Sequence, residues 1–336
     1  MYIISLKLLW GNYTNMNLQQ DINELNRSRR HIIAGFAIAA LLGLSFISLF
    51  IYKFLGDPAP VDSATDVFSQ FARTHLLMIV ACFGLMISLI YAGLSYAKFK
   101  TIYKEIFVRK PLADNFDNLR YEWANGFSMD TIKNIFPYTT PPKNYNCSED
   151  LIKASYNGVP FEMSDVMVYF SASGNNKYFL GRMMIIDLPD KLTNSVQIFS
   201  KTFTKNYNIP FMSDIEMDSV EFNREYLIKA ANPHDAFYLL TPHMMEYIQK
   251  LSKRFEGIAI HAFGNKIAFA LRNGNTNSFD PKKWYKKISY QEEIYNVYNE
   301  IEDIKSIIST ICSLGSNPDN SQDNLMPGSF RITYRH

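Results

Sequence analysis

The chain has 336 residues and a formal charge of +2, from 34 Lys and Arg against 32 Asp and Glu. An apolar fraction of 47% and a charged fraction of 20% exclude a disordered chain, and the near-balanced charge gives no global pull towards nucleic acid. Three cysteines, Cys82, Cys147 and Cys312, lie too far apart for a CxxC metal or redox pair and are too few for a disulfide framework.

The first ten residues, MYIISLKLLW, are too short to span a membrane, and Met16 opens a polar leader that would serve as an alternative start of translation. Ile32 to Tyr52 and Leu76 to Tyr96 are then two uncharged apolar runs. As helices rising 1.5 Å per residue each would be about 31 Å long, the thickness of the hydrocarbon core. The first run is longer than a signal-peptide core and no A-x-A site follows it, so it reads as an uncleaved anchor. Arg27, Arg29 and Arg30 precede the first run, and Lys98, Lys100, Lys104, Arg109 and Lys110 follow the second. Positive flanks stay cytoplasmic, which predicts both termini inside and the loop Lys53 to His75 outside, as in a two-pass protein of a bacterial inner membrane. Lys98, Lys100 and Lys104 also stand where anionic lipid headgroups would be. Small residues recur at four-residue spacing, Gly35, Ala39 and Gly43 in the first run and Gly84, Ser88 and Ala92 in the second, a pattern that lets two helices approach closely in lipid. Neither run contains an ionisable residue, which argues against a transporter or pump.

Residues 97–336 suffice for a folded core. A basic, aromatic helix is expected from Tyr96 to Val108, closed by Pro111. Leu112 to Phe136 reads as one or two amphipathic helices, with Leu119, Trp123, Phe127, Ile132 and Ile135 apolar, and Pro137, Pro141 and Pro142 mark a linker. Strands follow. Asn157-Gly158 is a strong hairpin signal, Gly174-Asn175-Asn176 a second turn, and Tyr178 to Asp187, Ser195 to Ser200 and Tyr226 to Ala230 are strand-like. Thr241-Pro242 starts a helix reaching about Arg254. Gly257–Phe263 and Lys266–Arg272 form another hairpin around Gly264-Asn265. Strand clusters interrupted by helices, without strict alternation, predict an α+β fold: an N-terminal transmembrane helical hairpin, then a cytoplasmic antiparallel-sheet domain with packed helices. From Ser289, Ile294, Val297, Ile301, Ile304, Ile308 and Ile311 form a 3-4 seam. It would pack on the chain's own domain or on a second copy. The expected organisation is a leader (1–31), the hairpin (32–96), juxtamembrane helices and linker (97–142), the α+β domain (143–288), the seam helix (289–314) and a disordered tail (315–336).

The stretch Val220 to Asn273 resembles the core of the bacterial family known as domain of unknown function 3137. The features that carry the resemblance are Glu221-Phe222, the strand Tyr226–Ala230, Asp235-Ala236, Leu240-Thr241-Pro242, Met245-Glu246 and the following apolar hairpin, with Phe179 to Pro189 similar to the family's Phe-x-Gly strand. The chain departs from the pattern at His234-Asp235, where the family has glutamine or valine followed by glutamate. The resemblance implies two spans before the domain and no activity or catalytic residue.

The search for chemistry singles out His234, Asp235, His243 and Asp187 as pocket candidates, with His261 alternating in a strand beside Ile258 and Ile260. A metal site needs such ligands to converge, and no HExxH or H-x3-H spacing occurs. Asp187 and Asp190 bracket Pro189, which is ordinary turn chemistry. Ser164, Ser171, Ser173 and Ser195 lack a GxSxG elbow, the Gly-Asn turns precede no phosphate-binding helix, and Cys147 has no neighbouring histidine. No catalytic residue, metal ligand or cofactor is assigned. The expected role is a membrane-tethered binding or scaffolding module whose partners are the lipid bilayer, an unidentified protein and, through the hairpin or the seam helix, further copies of itself. The alternative is a membrane-anchored hydrolase using the His and Asp residues above.

Overall fold

The computed structural model describes residues 15–55, 64–136, 145–169, 177–188, 191–203, 212–274, 279–281 and 284–313. The centre of the loop between the apolar runs, the Pro137–Pro142 linker, the Gly174-Asn175-Asn176 turn, Asp190 and the tail from Gly315 lie outside the described residues. The chain divides into two compact units, one of residues 1–110 with 280–297, the other of residues 111–279 with 298–336.

In the first unit, α1 (Asn15–Leu55) and α2 (Ala64–Tyr103) form an antiparallel hairpin. Both are long and apolar enough to cross a membrane, and only 17% of each apolar window is buried. Leu41, Leu44 and Ile47 on α1, and Leu76, Val80, Ile87 and Leu94 on α2, are each more than half exposed. The small-residue stripes face each other. A Cβ built on Gly35 would sit 2.9 Å from the Ala92 Cβ, and Gly84 lies against Leu42. The Ser88 hydroxyl donates to the Gly35 carbonyl at 2.8 Å, a contact that only a glycine backbone allows at this distance.

Beyond α2 the helix does not stop at Pro111. It passes through a π-helical turn, Lys104–Arg109, into α3 (Lys110–Asn115). Pro111 is the second residue of the new segment and is buried, so the helix continues through the proline instead of ending at it. Lys104, 1% exposed, lies 2.6 Å from Asp280, and Lys100 lies 2.9 Å from the same carboxylate. The Tyr103 hydroxyl donates to Glu293 at 2.5 Å. The rings of Phe99, Tyr103, Phe107 and Tyr290 follow one another with centroids 4.9–6.4 Å apart. These contacts bind residues 280–297 to the end of α2.

The second unit is built on an antiparallel sheet of nine described strands: β1 (Asp117–Glu122), β2 (Tyr145–Tyr156), β3 (Val159–Tyr169), β4 (Lys177–Asp187), β5 (Val196–Ser200), β6 (Ser213–Asp214), β7 (Tyr226–Ala230), β8 (Gly257–Phe263) and β9 (Lys266–Arg272). Their order is β1-β2-β3-β4-β9-β8-β5-β7-β6. With the two apolar helices this makes the chain α+β. The expected helices of Leu112 to Phe136 are interrupted. Between α3 and α4 (Met129–Ile135) lies β1, an edge strand whose sequence, DNLRYE, has only Leu119 and Tyr121 as alternating apolar residues and is held by pairing with β2. The two strongest turn signals sit where the sequence places them. Asn157 and Gly158 both have positive φ, 51° and 79°, the type I′ hairpin joining β2 and β3, and Gly264, at φ 57°, opens the β8–β9 turn.

Antiparallel partners share a face. On one face Met183, Ala270, Ala259 and Phe199 run across β4, β9, β8 and β5 beneath Ile132, Ile135 and Phe136 at the end of α4. On the other, Met163, Met184, Phe269, Ile260, Ile198 and Ile228 form a row from β3 to β7, each at most 2% exposed. The central strands are therefore buried on both sides, so β5, β8 and β9 are buried almost throughout. Gly181 marks the closest approach within it. A Cβ there would stand 2.0 Å from the Leu271 carbonyl oxygen.

α5 (Val220–Glu225), α6 (Pro233–Leu239), α7 (Pro242–Ser252) and α8 (Tyr290–Cys312) complete the described helices. Thr241 caps α7 by accepting from the Met244 amide at 3.2 Å, as the Thr-Pro pair predicts. Ile301, Ile304, Ile308 and Ile311 of α8 are 0–1% exposed within the single chain.

Candidate functional site

The four residues singled out from the sequence do not converge. Asp187 closes β4 and pairs at 2.8 Å with Lys266, its cross-strand neighbour. Asp235 is buried in the first turn of α6, where one carboxylate oxygen accepts from both the backbone and side-chain nitrogens of Asn194 at 3.0 Å. That contact fixes the entry to β5. His234 and His243 are exposed, each in the first turn of its helix. No hydrogen bond or ion pair joins any two of the four. Among the described residues no three His, Cys, Asp or Glu come together to hold a metal.

His261 is buried, and its Nδ1–H donates to the Ile135 carbonyl at the end of α4. Burial pushes its pKa below the ordinary value, against the opposing effect of that hydrogen bond, so the ring is neutral at pH 7. The strand register places Gln197 beside His261, Lys229 beside Gln197 and Asp214 beside Lys229. This polar line crosses four strands. Lys229 pairs with Asp214 at 2.6 Å. Gln197 is 1% exposed and neither end of its amide has a hydrogen-bond partner among the described residues, an arrangement that costs about 1–3 kcal/mol.

A second buried polar group lies on the opposite face. Arg182 of β4 donates from Nε to Asp165, its neighbour on β3, at 3.0 Å, and from Nη1 to Glu300 of α8 at 2.5 Å. Its guanidinium stands 4.9 Å from the centre of the Phe279 ring, while Nη2 has no hydrogen-bond partner among the described residues. Burial opposes the charge, but Asp165 and Glu300 outweigh it and hold Arg182 above its ordinary pKa. With all three groups engaged on one another, this cluster is a tie between the sheet and α8.

The open surface of the domain offers a different feature. A cleft of about 700 Å³ lies at the ends of β5 and β7, bordered by α5 and α7. Lys201, Arg224 and Lys253 line it with Glu221, Glu225 and Glu256. No ion pair joins any of the six to a described residue. At its floor the Tyr226 hydroxyl donates to Ser252 at 2.7 Å, and burial raises the Tyr226 pKa. The cleft can therefore engage both signs of charge around a hydroxyl-lined base. It has neither a metal cluster nor an activated nucleophile. Of the cysteines, Cys82 and Cys147 are exposed, and burial raises the Cys312 thiol.

Sequence reasoning missed the cleft, the Gln197 line and the Arg182 cluster. Each is assembled by strand order, and only His261 stood out beforehand.

Comparison with known proteins finds a family similarity over one stretch of the chain. No curated protein matches the chain. Among solved structures, the mycobacterial trehalose monomycolate transport factor A aligns at 8% identity over 57% of this chain and 88% of its own, with a TM-score of 0.32, a likeness too low to bear on fold or function. Residues 175–312, a stretch that ends at the last residue of α8, match the family described as protein of unknown function (DUF3137). The Phe179–Gly181 strand, the Thr241-Pro242 cap and the β8–β9 hairpin all fall within that stretch, so this part of the chain is similar to that family.

Proposed function

We propose that the protein is a membrane-tethered binding module: α1 and α2 anchor it in a bacterial inner membrane, both termini lie in the cytoplasm, and the sheet domain presents its cleft to a segment of a partner protein. The observation that carries the reading is the apolar belt of the hairpin. Side chains such as Leu41, Leu44, Ile87 and Leu94 stay more than half exposed along both helices. A soluble protein does not leave so large a continuous apolar surface wet, whereas a bilayer covers it. The arginines before α1's apolar run and the lysines after α2's support the orientation.

The cleft supports the binding role. Unpaired groups of both signs around a polar floor suit a peptide carrying both acidic and basic residues, and would repel a ligand of uniform charge. A photo-crosslinking residue at Thr202, on the cleft, should trap a defined protein partner in cells, and the double reversal Arg224→Glu, Lys253→Glu should abolish the adduct. An adduct that persists in the reversal, or forms equally from Asn118 on the far edge strand, would refute the cleft as the binding surface.

A further inference from the structure

We infer that the hairpin holds the phosphate headgroup of an anionic phospholipid in a cavity between the polar ends of α1 and α2. The inference rests on the membrane reading above. The cavity measures about 660 Å³, within the roughly 300–1,000 Å³ range of small-ligand sites. Its lining comes from both helices and includes Glu24, Arg27, Ser28, His31, Tyr91 and Lys98.

Three observations point to a lipid phosphate. The first is depth. Glu24 to His31 directly precede the apolar run that begins at Ile32, and Tyr91 and Lys98 bracket Tyr96, where the second run ends. The cavity thus lies at the level where hydrocarbon gives way to headgroups. The second is charge. Lys98 lies 3.2 Å from Glu24, but both side chains are more than half exposed, and such a pair is weak and exchangeable. Arg27 has no ion pair or hydrogen bond to a described residue. Its planar fork fits two oxygens of one phosphate. The third is the arrangement of neutral donors. The Tyr91 hydroxyl and the His31 Nδ1 are 2.7 Å apart. When the hydroxyl donates to Nδ1, the imidazole proton sits on Nε2, free for a further acceptor. Two cations against one carboxylate leave the lining one positive charge in excess. That excess favours a headgroup without its own cation, as in phosphatidylglycerol, over phosphatidylcholine. Basic cavities between helices at this depth are suited to anionic headgroups on general grounds.

The test uses the full-length protein in a neutral detergent, with native mass spectrometry after addition of phosphatidylglycerol, phosphatidylcholine or inorganic phosphate. Phosphatidylglycerol should be retained about tenfold more than phosphatidylcholine. Arg27→Gln should lower its retention by about tenfold, the effect of about one charge-assisted contact, and Lys98→Gln should lower it too. Arg30→Gln, on the same helix but outside the cavity, should change it less than about twofold. Circular dichroism of each variant should match the wild type, because Arg27, Lys98 and Arg30 are all exposed. Equal retention of the two lipids, or equal loss in Arg27→Gln and Arg30→Gln, would overturn the site and leave only a diffuse basic flank. Inorganic phosphate that displaces the lipid at equal concentration would assign a soluble phosphate instead. Release of the protein from membranes by alkaline carbonate would overturn the membrane reading and the site together; an integral protein without lipid preference would overturn the site alone.

Discussion

Replacing Arg182 by methionine should remove the countercharge of a buried carboxylate. Asp165 is 2% exposed, and Arg182 is its ion-pair partner across the strands at 3.0 Å. Methionine preserves most of the volume of the arginine stem but supplies no donor. The lost partner of a buried ion pair costs about 3–5 kcal/mol. Glu300, whose side chain is 34% exposed, can turn to water and adds little. For a folded unit of this size each kcal/mol moves the melting temperature by about 2–4 °C, so the full-length protein in detergent should melt about 6–20 °C lower. Removing both charges is different in kind. In Arg182→Met, Asp165→Leu no buried ion loses its partner, since Glu300 can turn to water, and a well-packed apolar pair can match the stability of the ion pair it replaces. The double variant should therefore regain most of the loss, with a coupling of at least about 2 kcal/mol in a cycle of thermal melts followed by circular dichroism. Additive effects, in which the double variant loses the sum of the two singles, would refute a direct Arg182–Asp165 interaction in the core.

Gly181→Ala should destabilise the domain by about 1–3 kcal/mol, since its Cβ would press into the Leu271 carbonyl and force β4 from β9; a melt unchanged within 1 °C would contradict that packing. The folded His261 binds a proton less readily than its ordinary pKa of 6.5, so below about pH 6.5 the unfolded chain takes up more protons than the folded one. Stability should accordingly fall on acidification from pH 7 to pH 5, and His261→Phe should flatten that part of the profile. Ile301→Asp places a charge where 0% of the side chain is exposed and should unfold the domain outright. A folded protein that merely changes from oligomer to monomer by light scattering would move the seam to an interface between copies.

What could be read in the sequence was local. Asn157-Gly158 and Gly264-Asn265 fix their turns through backbone angles that few other residues adopt, and Thr241-Pro242 caps its helix through a contact three residues long. The apolar runs declare themselves by length, and their small-residue stripes by period. β1 was not legible, because the alternation of Leu119 and Tyr121 in DNLRYE is too short to tell from a helix face and the segment is held as a strand by pairing with β2. Pro111 misled because the helix does not end there: a π-helical turn directly precedes it and the chain stays helical to Asn115. The polar groups inside the domain were hidden by distance along the chain. Arg182 meets Glu300 across 118 residues, and Gln197 meets His261 and Lys229 only because β5 lies between β8 and β7. The candidates His234, Asp235, His243 and Asp187 drew notice by chemical type, and the fold gives Asp235 and Asp187 local structural partners.

The central claim is a two-span tether with the domain inside the cell. Single cysteines at Ser63 and at Ser316, in a chain lacking Cys82, Cys147 and Cys312, test it most directly in intact bacterial cells. A membrane-impermeant maleimide should label the Ser63 position from outside and leave the Ser316 position unlabelled until the cells are broken. Labelling at Ser316 with protection at Ser63 would contradict the orientation and move the whole domain to the opposite side of the membrane.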